Sequence, residues 1–201
     1  VSEIGLDVGQ ANELKLAFRK FDYTNGDVKS LTEGNTLGEL RGVLRGTHKI
    51  VEMSLLEPSG TVTVPATTKP FVAKDNFKTK KDGGICSYLG DNFKLWFLGK
   101  IEEPRQESEL KYSKLTRSSV DKPILAELGN TADVTLGEVF YLMEAGTLRK
   151  DAWYISYVVD ANGNRRAVRV RWCGGGWFVY ARSVGDPSEW LADFVVCSRN
   201  S

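Results

Sequence analysis

The spacing of apolar residues changes once along this chain. Before about residue 150 they recur at helical intervals or gather in short runs. From Trp153 onward they alternate with polar residues. In residues 11 to 21, ANELKLAFRKF, helical spacing puts Leu14, Ala17, Phe18 and Phe21 on one side, behind Asn12 as cap. DYTNGDVKS reads as a polar turn. In TLGELRGVLRG, Thr36 stands three residues before Glu39, a capping-box spacing, with Leu37, Leu40 and Leu44 on one face. Residues 49 to 74 are β-branched and predict extended chain, interrupted by Pro58, Pro65 and Pro70.

NFKTKKDGG predicts a basic loop, and ICSYLGDNFKLWFLGKIEEP is the most apolar and aromatic stretch of the first half. QESELKYSKLTRSSV predicts a surface helix. TLGEVFYLMEAG repeats the box with Thr135 and Glu138 and predicts a helix burying Leu136, Val139, Phe140 and Met143. The period-two region then reads as WYISYVVD, a turn at ANGN, RAVRVRW, a turn at CGGG, WFVYARSV, a turn at DPSEW, and FVVCSRN. The class is α+β: a helical and irregular N-terminal part followed by a twisted antiparallel sheet.

Neighbouring side chains on a strand point to opposite faces. Val168, Val170 and Trp172 therefore share one face, and Arg169 and Arg171 the other. Likewise Trp177, Val179, Ala181 and Ser183 oppose Phe178, Tyr180, Arg182 and Val184. Pairing through the glycine turn makes the Val/Trp rows core and leaves Arg169, Arg171, Phe178, Tyr180 and Arg182 outward. Arg and aromatic residues concentrate binding energy at interfaces. A sheet buried on both faces would need partners for three arginines, so an exposed recognition face is the favoured arrangement.

Composition narrows the chemistry. A chain of 201 residues with 41% hydrophobic content makes one domain, or one domain with an appendage. The net charge is +1, so no global field draws it to nucleic acid or membrane. No apolar run is long enough for a membrane span. The opening VSEIGLDVGQ shows no signal peptide. It starts on Val, which leaves a trimmed N-terminus open, and no compartment is assigned. Cys86, Cys173 and Cys197 have no metal-site spacing, and their number is odd. His48 is the single histidine, so no catalytic set can be assembled around several, and no catalytic residue, metal ligand or cofactor is expected.

Asp22 to Glu33 has the length of a calcium loop, but Thr24, Gly26 and Asp27 stand at its third, fifth and sixth positions, which leaves too few oxygen ligands. The glycines of DGG at 82 to 84 and CGGG at 173 to 176 fit no phosphate-loop frame. KTKK at 78 to 81 and RRAVRVR at 165 to 171 are basic. The second interleaves with aromatics as single-strand nucleic-acid binders do. The acids around it, Asp160, Asp186, Glu189 and Asp193, argue against a dedicated phosphate groove.

One compositional bias stands out. Residues 160 to 201 hold six Arg and no Lys, whereas residues 1 to 159 hold six Arg and fifteen Lys. Gln and Met are also missing from the tail. The tail pattern is Trp177, Val179, Ala181, Ser183, Val184, Pro187, Trp190, Ala192, Val196, Ser198, Arg199 and Asn200. It resembles the target proteins of diversity-generating retroelements. YLGDNFKLWFLGKIEEP and KPILAELG resemble the constant body of such proteins, so the resemblance covers about residues 86 to 201.

In that family a reverse transcriptase miscopies adenines of a template repeat into the 3′ end of the target gene. The resemblance implies mutable codons that start as AAC or AAT and never become Lys, Glu, Gln, Met or Trp. Carried over by position, the variable ligand-binding residues are Arg169, Arg171, Cys173, Gly174, Phe178, Tyr180, Arg182, Leu191, Asp193, Phe194 and Val195, in a variable region of about 165 to 197. Trp172, Trp177, Val179 and Trp190 are the scaffold. Cys197 stands where the family pattern has Phe, which makes it either a further variable site or a departure.

The implied fold is C-type-lectin-like over residues 76 to 201, with residues 1 to 75 a separate segment. The implied function is non-enzymatic, hypervariable recognition of an unidentified protein or other macromolecule. A nucleic-acid binder using the Arg/aromatic face is the competing expectation.

Overall fold

The computed structural model describes residues 5 to 51 and 53 to 200. The opening VSEI, read above for a leader, lies outside them, as do Glu52 and Ser201. Two compact units divide between Met53 and Ser54. The expected boundary after residue 75 therefore moves upstream: residues 56 to 64 are a strand of the sheet, tied to it by pairing that the sequence does not display.

The first unit contains α1 (Val8–Lys20), α2 (Asn25–Thr32) and α3 (Thr36–Leu44). Asp7, not Asn12, caps α1: its Oδ1 accepts the Gln10 N–H at 2.7 Å, and Gln10 Oε1 accepts the Asp7 N–H at 3.1 Å. Residues 24 to 27, read as a turn, start α2 through the same device between Thr24 and Asp27. Much of the stretch weighed as a calcium loop is thus capped helix. Asn35 rather than Thr36 is the cap position of α3. The expected apolar faces stay largely uncovered, with Leu14, Phe21, Leu37 and Leu44 all exposed.

The second unit is built on a seven-stranded sheet in the order β1-β5-β9-β6-β7-β8-β3. The strands are β1 (Leu56–Val64), β3 (Cys86–Leu89), β5 (Ser108–Leu115), β6 (Trp153–Val159), β7 (Arg165–Cys173), β8 (Gly176–Ser183) and β9 (Val195–Arg199). A ribbon of β2 (Phe71–Val72) and β4 (Ile101–Glu102) stands apart. The sheet is mostly antiparallel, but β3 with β8 and β6 with β9 run parallel, which corrects the wholly antiparallel expectation.

The expected helix over 106 to 120 is instead β5. Its charges at i, i+4 imitate a helix surface, yet β1 and β9 pair with it on either side, and Leu110 and Leu115 are fully buried. Tertiary pairing overrides local pattern here.

Four helices complete the unit: α4 (Ala73–Asn76), α5 (Asp91–Phe97), α6 (Asp121–Leu128) and α7 (Leu136–Glu144). The Thr135–Glu138 box opens α7 as read, with the Thr135 N–H donating to Glu138 Oε2 at 2.7 Å. Leu136, Val139, Phe140 and Met143 are all buried. With Phe77, Phe93 and Phe97 they cover one sheet face over Leu110, Tyr154, Val168, Val170, Trp177 and Val179. On the opposite face a smaller core joins Ile124 of α6 and Trp190 to Ile155, Tyr157, Ala167 and Val196. That second cover does not extend over the outer half of the sheet, and the candidate site lies there.

Candidate recognition face

The site is set by the register of one hairpin. Arg169 faces Tyr180, Arg171 faces Phe178, Val170 faces Val179 and Trp172 faces Trp177 across β7 and β8. The connection is the two residues Gly174 and Gly175, both left-handed at φ 59° and 87°. A two-residue turn with both φ positive matches the strand twist and favours Asn-Gly or Gly-Gly. Position 174, expected to vary, is therefore restricted. Gly174→Asn is expected to leave urea stability nearly unchanged, whereas Gly174→Val lowers it by about 1–2 kcal/mol. Equal midpoints for the two variants would contradict the turn assignment.

Alternation along the hairpin divides the residues as expected. Val168, Val170, Trp177, Val179 and Ala181 are buried against the larger core. Trp177 donates its indole N–H to the Met143 carbonyl at 3.0 Å. Trp172 is only half-buried at the sheet end, edge-on to Trp177, with the Lys150 ammonium 4.5 Å from its ring. Trp190, expected beneath the sheet on the same side as Trp177, is buried on the opposite, outward side.

The outward row of Arg169, Arg171, Phe178, Tyr180 and Arg182, expected to be exposed, is half-buried throughout, because its side chains pack on one another and on flanking aromatic residues. Two aromatic residues outside the expected set complete it. Trp153 opens β6 opposite Arg171, and Tyr88 of β3 lies beside Phe178. Stacking then runs across the strands. Phe194 lies flat on Trp153, with ring centroids 5.4 Å apart and planes 6° from parallel. The Arg171 and Arg169 guanidinium groups sit 4.2 and 4.5 Å from the Trp153 ring, and Arg169 is 4.8 Å from Tyr180. Tyr88 closes the row 5.3 Å from Tyr180 and 5.7 Å from Phe178. Such contacts hold flexible cations in fixed directions, and each is worth about 0.5–2 kcal/mol.

Arg182 differs from its row. Its Nη2 lies 3.2 Å from Oδ2 of the fully buried Asp121, and its guanidinium lies 3.3 Å from the Trp190 ring centre. Asp121 also accepts the Tyr157 hydroxyl at 2.8 Å and the Trp190 indole N–H at 2.7 Å. Burial, reinforced by the Asp121 charge, pushes the Tyr157 phenol well above its ordinary value and keeps it a donor. The structure thus places Arg182 as an anchor of the second core, not as a freely displayed side chain.

The other expected positions divide as well. Leu191 is exposed. Asp193 is exposed at φ 71° and forms a 2.7 Å ion pair with Lys114. Phe194 is half-buried on Trp153, Cys173 is half-buried at the hairpin end, and Gly174 is exposed. Val195 is half-buried against the larger core and faces away from the outward row. Cys197 is fully enclosed in that same core, where burial pushes its thiol up to about 12. It is a packing residue, not a displayed one.

Two hollows adjoin the row. A cleft of about 480 Å³ lies at the sheet end, walled by Lys114, Arg149, Trp153, Asp193 and Phe194. A smaller one of about 170 Å³ is enclosed by Ala167, Arg169, Tyr180, Ala181, Arg182 and Trp190. Guanidinium groups held on aromatic faces can bind anionic or planar groups. Among the described residues, no three His, Cys, Asp or Glu side chains come together as a metal site. Nor is any described helix long and apolar enough to cross a membrane. Comparison with protein-family models, curated proteins and solved structures gives no match.

Proposed function

We propose that this chain is a hypervariable ligand-binding protein, diversified by a retroelement, that recognises its ligand through the outward row of the β7–β8 hairpin. The observation that carries the reading is the hairpin's division of labour: residues 168, 170, 177 and 179 are buried, while 169, 171, 178 and 180 between them are only partly buried and reach solvent. A side chain in the second set can be exchanged without opening the core, so sequence can change while fold does not. None of the proposed variable positions holds Lys, Glu, Gln, Met or Trp, the types that adenine mutagenesis cannot write there, which supports the same reading. The C-type-lectin-like assignment of residues 76 to 201 rests on the tail resemblance. A mostly antiparallel sheet with helices packed against it is compatible with it.

The test is a paired library in the full chain. Randomising 169, 171, 178, 180 and 191 is expected to leave most clones folded and to yield binders to unrelated proteins. Randomising 168, 170, 177 and 179 is expected to leave few folded. Similar folding yields would overturn the proposal. The gene supplies a second check: a near-copy of codons 165 to 197, differing at adenines, beside a reverse transcriptase gene.

The Arg–Trp–Tyr stacking favours one competitor, a single-strand nucleic-acid binder. That reading requires oligonucleotide affinity that falls steeply with salt.

A further inference from the structure

Arg169 is a half-buried cation without an acid. Its Nε is enclosed and meets no acceptor among the described residues. The titratable groups acting on it are the Tyr180 phenol and the neighbouring cations Arg182 and Arg171. Burial, with the repulsion of these two arginines, pulls its guanidinium below the ordinary value, although arginine stays protonated in proteins. Among the described residues, Arg182 also has an enclosed Nε without an acceptor, and its ion-pair partner Asp121 is shared with Tyr157 and Trp190, with Asp186 a further acid near it. Both arginines line the hollow of about 170 Å³, between the rings of Tyr180 and Trp190. An uncompensated cation in such a place is costly unless an anion completes it.

We propose that this hollow is a carboxylate pocket, which receives the end of one acidic side chain of a protein ligand between Arg169 and Arg182. This rests on the reading of the outward row as the recognition face. The volume is well below the roughly 300–1,000 Å³ of sites that enclose a drug-sized molecule, so an end group fits and a nucleotide does not. A flat carboxylate suits forked guanidinium donors. A phosphate chain would need cations in a line beyond the pocket, whereas Arg171 is already stacked on Trp153.

The experiment follows the arginine Nε–Hε resonances of the ¹⁵N-labelled full chain during titration with sodium acetate, against sodium chloride at matched ionic strength. Acetate is expected to shift the Arg169 and Arg182 signals saturably, and chloride is not. Arg169→Gln should weaken the Arg182 response by at least about tenfold. Arg171→Gln, outside the hollow, should leave it unchanged. Equal shifts with chloride, no shift, or loss of the response in Arg171→Gln would overturn the pocket. So would a thymidine oligonucleotide that displaces acetate with steep salt dependence, which assigns the site to nucleic acid. If the outward-row library folds and yields binders while acetate leaves Arg169 untouched, the pocket falls and the display reading stands. If that library does not fold, the display reading itself falls.

Discussion

Asp121→Ala is expected to destabilise the second unit by about 3–5 kcal/mol, the usual result of removing one partner from a buried ion pair. Three donors lose their acceptor at once. The Arg182 guanidinium becomes a buried charge without a counter-ion, and the Tyr157 hydroxyl and Trp190 indole N–H are left unpaired in an apolar setting. Tyr157 and Trp190 belong to the small core under α6, so the loss should reach β6 and the 185–194 segment together. Urea unfolding followed by tryptophan fluorescence measures it, and hydrogen exchange of the β6 amides locates it.

Adding Arg182→Met to Asp121→Ala removes the orphaned charge and keeps an apolar stem over Trp190. The double variant should be more stable than Asp121→Ala alone, because the dominant penalty is the unpaired cation. A single-variant loss under about 1 kcal/mol would mean that Arg182 leaves its partner easily. Position 182 would then rejoin the exchangeable row. The predicted larger loss keeps it apart from 169, 171, 178 and 180.

The terminal hairpin was legible because its determinants are local. Strict alternation fixes which side chains share a face, and three glycines between two period-two runs mark the turn. The anchoring of Arg182 was not legible. Its partner Asp121 starts α6, 61 residues upstream, and only the packed fold brings them together. Trp153 and Tyr88 escaped for a related reason. Each belongs to a strand flanking the hairpin, and the parallel pairing of β3 with β8 leaves no periodic trace in the sequence. β5 shows the reverse problem, where a helix-like charge spacing is overruled by strands on both sides. At the N-terminus, the Asp7–Gln10 and Thr24–Asp27 boxes were available as signals. They sit outside the apolar spacing that predicts the helices.

Trp177→Ala and Phe178→Ala alter adjacent residues and are expected to differ severalfold in effect. Trp177 is 2% exposed, packs in the larger core, and holds the Met143 carbonyl through its indole N–H. Truncation leaves a large cavity and an unpaired acceptor, so a loss of about 3–5 kcal/mol is expected. Many domains have only about 5–15 kcal/mol in total, so this variant should populate unfolded chain at modest urea. Phe178, only partly buried, loses its ring contacts with Tyr88 and Tyr180, for about 1 kcal/mol. Both follow from the urea midpoint at constant m-value. A Phe178→Ala loss as large as that of Trp177→Ala would place the outward row inside the protein's stability core. An exchangeable surface could not then be built on it, because each new side chain would have to be repacked as well as displayed.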